Sequence, residues 1–468
     1  MRYSLSILEA DFQALSAALF SKPGCEGGAY LLCGRSSIEN KVRLLVQEVH
    51  PVREEDYQVR ERLRLSIRSD SYVRVAQRAR DRGSSVIFVH SHVAGPPVHS
   101  AQDDAEEPRL MAFLGARIAG VPHGSMVVCA DATAAGRIWT GAGWEQITPI
   151  RILGDRFRFL FAGLPPNVNV SLFDRQVRAF GENLQQLLAQ LHVGIVGAGG
   201  TGSAVAEQLT RLGVGTISIF DGERLEASNV TRVYGSRLSA EGCNKAEILG
   251  VHLRALGLGT TVYMYPDHIR RESAARQLRA CDVVFGCTDK HLPRALLIQL
   301  ALRYLIPVFD VGVKITSKEG LLRGIHGRVT LLLPPEACLW CRGRIDAQRA
   351  AQEQKPRDEL EQLVREGYAP ELETNAPAVV SFTTAVAAQA VTEFIDRFAG
   401  YLSSPPPSEL ILFLHDRMIR RNRSARDPQC MCARKQIIAS GDGSGVFLGV
   451  TWPDHSPPIS MVQPRIRP

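Results

Sequence analysis

Short apolar runs alternate with polar, helix-prone stretches along most of the chain. The stretch SSVIFVHSH, ending at His92, reads as a buried strand that turns polar at its end. From about residue 171 the alternation is regular. LHVGIVGAGG, SAVAEQLTRLG, TISIFDGE, a helix near Lys245–Leu256 and CDVVFGCTD follow one another. Strand–helix alternation of this kind predicts a mainly parallel sheet with helices on both faces. Residues 1–150 instead mix short strands and helices and close in the turn-rich ATAAGRIWTGAGWEQITP. LPPNVN marks a connector over 151–170, which leaves 171–435 as the second domain. The charged segment RAAQEQKPRDELEQLVREG is expected to form a surface helix, and the Gly/Ser/Pro-rich tail 436–468 to be loosely ordered. There is no internal repeat.

Composition narrows the class. At 468 residues the chain is long enough for two to four domains, and 45% hydrophobic content with 22% charge suits a globular protein with ample core. No apolar run reaches the roughly 20 residues of a membrane span. Glu9 and Asp11 interrupt the N-terminus where a signal peptide needs an apolar stretch, so a cytoplasmic protein is expected. The net charge is +7, but only eight of the 55 basic residues are lysines. This arginine bias is read as compositional, and nucleic acid is not expected as a partner. The cluster RMIRRNRSAR could bind an acidic partner, although a solvated basic face is the better reading. Ten cysteines in such a chain do not form a disulfide framework, and the close pairs Cys338/Cys341 and Cys430/Cys432 favour metal.

The end of the first strand carries chemistry. Residues i and i+2 of a strand face one side, so His90 and His92 point together. After seven residues comes Ser100, suited to cap a helix whose first turn holds Asp103. Two imidazoles and a carboxylate leave one position of a zinc ion for water, as a catalytic site requires. Glu26 lies before a short glycine-flanked strand. Glu, then His-x-His, then Ser-x-x-Asp at this spacing resembles the JAMM motif of JAB/MPN zinc metalloproteases. The resemblance implies a JAB/MPN-like α/β domain that cleaves peptide or isopeptide bonds after ubiquitin-like proteins. It assigns His90, His92 and Asp103 to zinc, Glu26 as general base and Ser100 to the tetrahedral intermediate. Glu48 is the reserve base, His99 is read as bystander polarity, and Val93 stands where the family has proline.

A glycine-rich turn, GAGGTG, follows the apolar strand LHVGIV. Gly197, Gly199, Gly200 and Gly202 let backbone approach phosphate, and Asp221, 19 residues after Gly202, can bond a ribose. Alone, this suits any dinucleotide fold, a nicotinamide oxidoreductase included. Asn229, Arg232, Lys245 and Asp289 downstream suit a triphosphate with Mg2+ better. The set resembles the ThiF/MoeB/HesA superfamily, which includes the ubiquitin-activating enzymes. The resemblance implies a Rossmann-like domain that adenylates the C-terminal glycine of a ubiquitin-like protein. Asp221 would hold ribose, Asn229, Arg232 and Lys245 the phosphates, and Asp289 the Mg2+. Arg175 would reach ATP in the partner of a homodimer. Val233 stands where the family often has glutamine.

Family members commonly join two Cys-x-x-Cys pairs on structural zinc. Cys338 and Cys341 fit, whereas Cys430 and Cys432 are one residue closer. No cysteine lies between Cys341 and Cys430, where a thioester nucleophile is expected, and Cys432, Cys243 and Cys287 are the substitutes. The joined resemblance implies a bacterial fusion enzyme in ubiquitin-like conjugation, with antiviral defence as a context and a conjugating enzyme or sulfurtransferase as a further partner. Sulfur-carrier activation and a non-catalytic scaffold that binds the ubiquitin-like protein remain alternatives.

Overall fold

A computed structural model describes residues 1–355, 359, 362, 365–366, 377–402, 405–443 and 445–452. The chain forms two compact units. The first comprises Met1–Pro165, Arg303–Leu305 and Lys435–Gly445, and the second Pro166–Leu302, Ile306–Arg434 and the residues from Val446.

In the first unit the order is β1 (Arg2–Leu8), α1 (Glu9–Leu19), β2 (Gly28–Ile38), β3 (Lys41–Pro51), β4 (Tyr57–Arg60), β5 (Leu65–Ile67), α2 (Ser69–Arg82), β6 (Ser85–His92), α3 (Ala101–Arg117), β7 (Gly124–Cys129), β8 (Ala134–Trp139), β9 (Trp144–Leu153) and β10 (Phe157–Leu160). The main sheet runs β1-β3-β2-β6-β7-β8-β9-β10, and β1 also pairs with β9, closing the sheet on itself. Strand alternation sorts the side chains onto two faces. Leu31, Ile87 and Val89 pack with Phe12, Leu15 and Leu19 of α1. Their neighbours Tyr30, Leu32 and Val86 pack instead with Val75 and Ala79 of α2 and Met111 and Leu114 of α3. Each fully buried aliphatic side chain contributes about 1.5–3 kcal/mol to holding these layers together. Gly83 ends α2 at φ +61°, a left-handed conformation that glycine adopts without a Cβ clash.

In the second unit the order is α4 (Asp174–Phe180), α5 (Glu182–Leu188), β11 (His192–Val196), α6 (Gly200–Arg211), β12 (Thr216–Phe220), α7 (Lys245–Ala255), β13 (Thr261–Tyr265), α8 (Glu272–Gln277), β14 (Val283–Gly286), α9 (His291–Tyr304), β15 (Val308–Lys318), β16 (Leu321–Leu332), α10 (Ala347–Glu353), α11 (Val380–Ala399), β17 (Glu409–Phe413) and β18 (Met418–Asn422). The sheet order is β13-β12-β11-β14-β15-β16-β17-β18. It is parallel from β13 through β15 and antiparallel from there to β18. The parallel part is the one the alternation predicts. The winding reverses between β11 and β14, which opens a crevice beyond their C-terminal ends.

The expectation for the tail changes, and the charged segment is described only in part. Of the charged segment 349–367, α10 covers the start, and most of the remainder lies outside the described residues. The tail is packed in part. In the first unit Ala439 is fully buried, and Gly34 allows this because a Cβ there would fall 2.2 Å from the Ala439 carbonyl oxygen. In the second, Phe447 is buried with the Arg276 guanidinium 4.4 Å from its ring. Residues 453–468 lie outside the described residues. No helix among the described residues is long and apolar enough to cross a membrane.

Candidate metal centre, nucleotide cradle and cysteine cluster

The first site grows out of the alternation in β6. Val86 and Phe88 face α2 and α3, so His90 and His92 project to that side as well, with ring centroids 5.2 Å apart. Ser100 caps α3: its Oγ accepts from the Asp103 amide at 3.2 Å, and its own amide donates to Asp103 Oδ2 at 2.6 Å. The cap thus occupies one carboxylate oxygen and leaves Oδ1 facing His90 Nε2 at 3.5 Å. One ligand atom each from His90, His92 and Asp103 lies within 4.8 Å of the others. Burial pushes the Asp103 carboxyl up, but His90 and the cap outweigh it and hold it below the usual carboxylate range. His90 is buried, and neither ring nitrogen makes a hydrogen bond. Unsatisfied buried nitrogens are costly, and a cation between two imidazoles and a carboxylate satisfies Nε2.

Glu26 stands beside this cradle. Gly28 is paired with His90 across β2 and β6, and Gly27 and Ser91 are bonded backbone to hydroxyl at 2.8 Å. The Glu26 amide donates to the Glu61 carbonyl at 2.8 Å. Burial, with the Asp103 charge adding and His90 opposing, pushes the Glu26 carboxyl up to about 7. That is the range in which a carboxyl exchanges protons near neutral pH. The reserve base fares differently. Burial raises Glu48 too, but bonds to Arg78, His50 and Arg82 prevail and hold it at about 2. A carboxylate so engaged is a weak base.

Sequence reasoning missed the layer behind His90. Glu107 lies one helical turn after Asp103, with Oε1 3.6 Å from His90 Nδ1. Ser125 and Arg137 hold its other oxygen at 2.5 and 2.6 Å. His99, read as a bystander, belongs here: its Nε2 is 3.2 Å from Ser125 Oγ. Burial, together with Arg137 and His90, takes its imidazole down to about 3, so it is neutral. The i, i+4 spacing from Asp103 was the one available signal for Glu107.

The second site sits at the end of β11. Gly197 has φ +94°, and a Cβ there would fall 2.6 Å from the Cys287 carbonyl oxygen. A Cβ on Gly202 would fall 1.8 Å from the Gly197 oxygen. These two glycines are required by backbone packing. A Cβ on Gly199 meets nothing within 4 Å, and one on Gly200 comes within 3.3 Å of Arg232 Cγ. The turn is therefore open over Gly199 and flanked by Arg232. The Ala198 amide donates to Asp221 Oδ2 at 2.6 Å and the Glu223 amide to Oδ1 at 2.7 Å, tying the turn to the end of β12. Burial pushes the Asp221 carboxyl up. Asn229 is buried with its Oδ1 unbonded. Lys245, capped into α7 by Asn244, pairs with Glu223 at 2.7 Å, a partner sequence reasoning missed. Asp289 is exposed just past β14, and Arg175 is exposed on α4.

Cys338, Cys341, Cys430 and Cys432 converge. Cys338 Sγ lies 3.8 Å from Cys341 Sγ and 3.6 Å from Cys430 Sγ, and Cys341 Sγ lies 3.5 Å from Cys432 Sγ. All are reduced. Four thiolates 2.3 Å from one ion stand about 3.8 Å apart, so these separations fit a tetrahedral four-sulfur site and exclude a disulfide. Cys432 lies within this cluster, where its three cysteine neighbours compete with any use of it as a nucleophile. Burial raises the Cys287 thiol above its usual value, while Cys243 is exposed.

A closed α/β unit with a His/His/Asp cradle, and a Rossmann-like unit with a phosphate-type glycine turn, define the class of this protein. It belongs to the ThiF family, whose pattern matches residues 173–433, and residues 9–140 match the prokaryotic homologues of the JAB domain. The chain is 30% identical over 141 residues to the tRNA threonylcarbamoyladenosine dehydratase of Escherichia coli K12, covering 30% of this chain and 53% of that protein. It is 32% identical over 148 residues to the adenylyltransferase and sulfurtransferase UBA4 of Candida glabrata, covering 32% of each. The chain thus spans about half the length of the first of these relatives and a third of the second. Among solved structures, E. coli MccB with MccA-N7isoASN superposes at a TM-score of 0.46 with 17% identity, covering 58% of this chain and 77% of that one.

Proposed function

We propose that the chain activates the C-terminal glycine of a ubiquitin-like protein with ATP, and that its first unit is a zinc-dependent (iso)peptidase trimming or deconjugating the same class of protein. One observation carries this reading. His90, His92 and Asp103 converge within 4.8 Å in a chain whose other half belongs to a family with adenylyltransferases among its relatives.

In the adenylation half, the glycine carboxylate attacks the α-phosphorus of ATP. The bond to the β-phosphate oxygen breaks, and acyl-adenylate and pyrophosphate form. The open face over Gly199 receives phosphate, with Arg232 flanking it and Asn229 as a further phosphate ligand. Lys245 exchanges Glu223 for phosphate, Asp221 bonds ribose, and Asp289 is placed to hold Mg2+. Arg175 acts across a homodimer. In the hydrolytic half, His90, His92 and Asp103 would hold zinc, which supplies a bound water of pKa about 7. Glu26 would take the proton of the water that adds to the substrate carbonyl and pass it to the amine released as the C–N bond breaks. Ser100, which caps α3, would help to hold the tetrahedral intermediate. The four cysteines would hold a second, structural zinc. Because both halves act on one tail, their fusion raises its local concentration at each site.

ATP–pyrophosphate exchange with ubiquitin-like proteins ending in glycine tests the first half. Exchange should fall with Asp289→Ala, and exchange unchanged in that variant overturns the assignment. Cleavage of a ubiquitin-like fusion should be lost with Glu26→Ala. A second reading is favoured by the cysteines. With Cys432 in the cluster and the Cys287 thiol held protonated by its surroundings, the adenylate passes directly to a partner, as in sulfur-carrier activation. Mass spectrometry separates a thiocarboxylate product from a thioester on Cys243.

A further inference from the structure

We infer that Glu107 is the positioning residue of the metal centre, fixing the His90 ring through Nδ1 so that Nε2 is presented toward Asp103. This rests on the zinc reading above. The two carboxylates face opposite edges of one ring: Asp103 Oδ1 is 3.5 Å from Nε2, and Glu107 Oε1 is 3.6 Å from Nδ1. Both lie on one face of α3, four residues apart, so the helix that starts at Ser100 delivers the ligand and its support together.

The Glu107 carboxylate cannot turn away. Oε2 accepts from Ser125 Oγ at 2.5 Å, Arg137 Nη2 at 2.6 Å and Arg137 Nε at 3.2 Å. Arg137 is itself held by Asp104, and its guanidinium sits 3.9 Å from the Trp144 ring centroid. Oε1 is buried with no hydrogen-bond partner among the described residues, and it faces His90 Nδ1. At 3.6 Å the Oε1 charge favours the proton on Nδ1, which leaves the Nε2 lone pair for a cation, and closing that gap to hydrogen-bond distance makes the ring a stronger ligand.

Glu107→Gln tests this. Arg137 and Ser125 only donate toward this side chain, so they take the amide oxygen, and the NH2 then faces Nδ1 as a donor. The proton is forced onto Nε2, the wrong tautomer for ligation. Zinc affinity measured by chelator competition should fall roughly 10–100-fold. In metal-free protein above the imidazole titration, 15N spectra should show His90 changing from the Nδ1–H to the Nε2–H form. Glu107→Asp keeps the anion beside Arg137 but withdraws it from His90, and should show a smaller loss. His92→Ala identifies which bound zinc belongs to this site. Wild-type protein with no zinc sensitive to His92→Ala overturns the zinc reading itself. Zinc held as tightly in both Glu107 variants, with the tautomer unchanged, overturns the positioning role. If Glu107→Gln does not fold, Glu107→Asp decides alone.

Discussion

Alanine at two glycines of the same turn should have opposite effects. At Gly199 the backbone is extended, with φ −75° and ψ −163°, a conformation alanine adopts readily, and the added Cβ meets nothing within 4 Å. Removing glycine's freedom from the unfolded chain should then raise stability by about 0.4–1 kcal/mol. The methyl group enters the space assigned to phosphate, so ATP should bind roughly tenfold more weakly, about 1.4 kcal/mol. At Gly202 the Cβ falls 1.8 Å from the Gly197 oxygen and 2.9 Å from its carbon, both backbone atoms that move only with the turn. Overpacking of this severity lies at the upper end of the usual range, about 3 kcal/mol, and should lower Tm by roughly 6–12 °C. Thermal melts and the ATP dependence of pyrophosphate exchange read both effects. If Gly199→Ala leaves ATP saturation untouched, the phosphates do not lie over this turn. A Gly202→Ala melt at the wild-type temperature would refute the packing argument.

Two further outcomes are expected. Glu48→Gln removes a carboxylate whose folded-state pKa is depressed from 4.5 to about 2, so its contribution is full above 4.5 and lost as pH falls through 2. After allowance for solvent screening it should cost about 1–2 kcal/mol at neutral pH, with the gap from wild type closing between those two values in acid melts. A gap that persists at the acid end would mean that another interaction was broken. Cys432→Ser should lower zinc content by one equivalent and reduce the melting temperature of the second unit; unchanged metal content would leave the cysteine cluster as thiols alone.

The sequence carried the parts of each site that sit on a single element. His90 and His92 are legible because strand period is two, and Ser100 and Asp103 because a helix cap has a fixed spacing. Glu107 was illegible because its meaning depends on β6 and α3 meeting, and nothing local says what a carboxylate at that helical position will face. Lys245 was read as a phosphate ligand, whereas its pairing with Glu223 arises only when β12 and α7 are brought together. The same holds for Asp310, fully buried between Arg294 and Arg328, whose three members come from α9, β15 and β16. In the fold, the parallel sheet followed from alternating strands and helices. The return of β1 to β9 did not, because pairing across more than 130 residues leaves no periodic trace.

The arginine cluster that follows β17 acquires a mechanical meaning from its position. Among the described residues β18 is the outermost strand of its sheet, paired with β17 alone, and its residues Met418–Arg421 are exposed. An unpaired flank of this kind can recruit a second molecule rung by rung, and crowding it with like charge is a common defence. Arg417, Arg420, Arg421 and Arg423 therefore act as a fender: two such borders approaching each other would repel before their main chains could zip, and neutralising these side chains should make the protein more prone to clump at low salt.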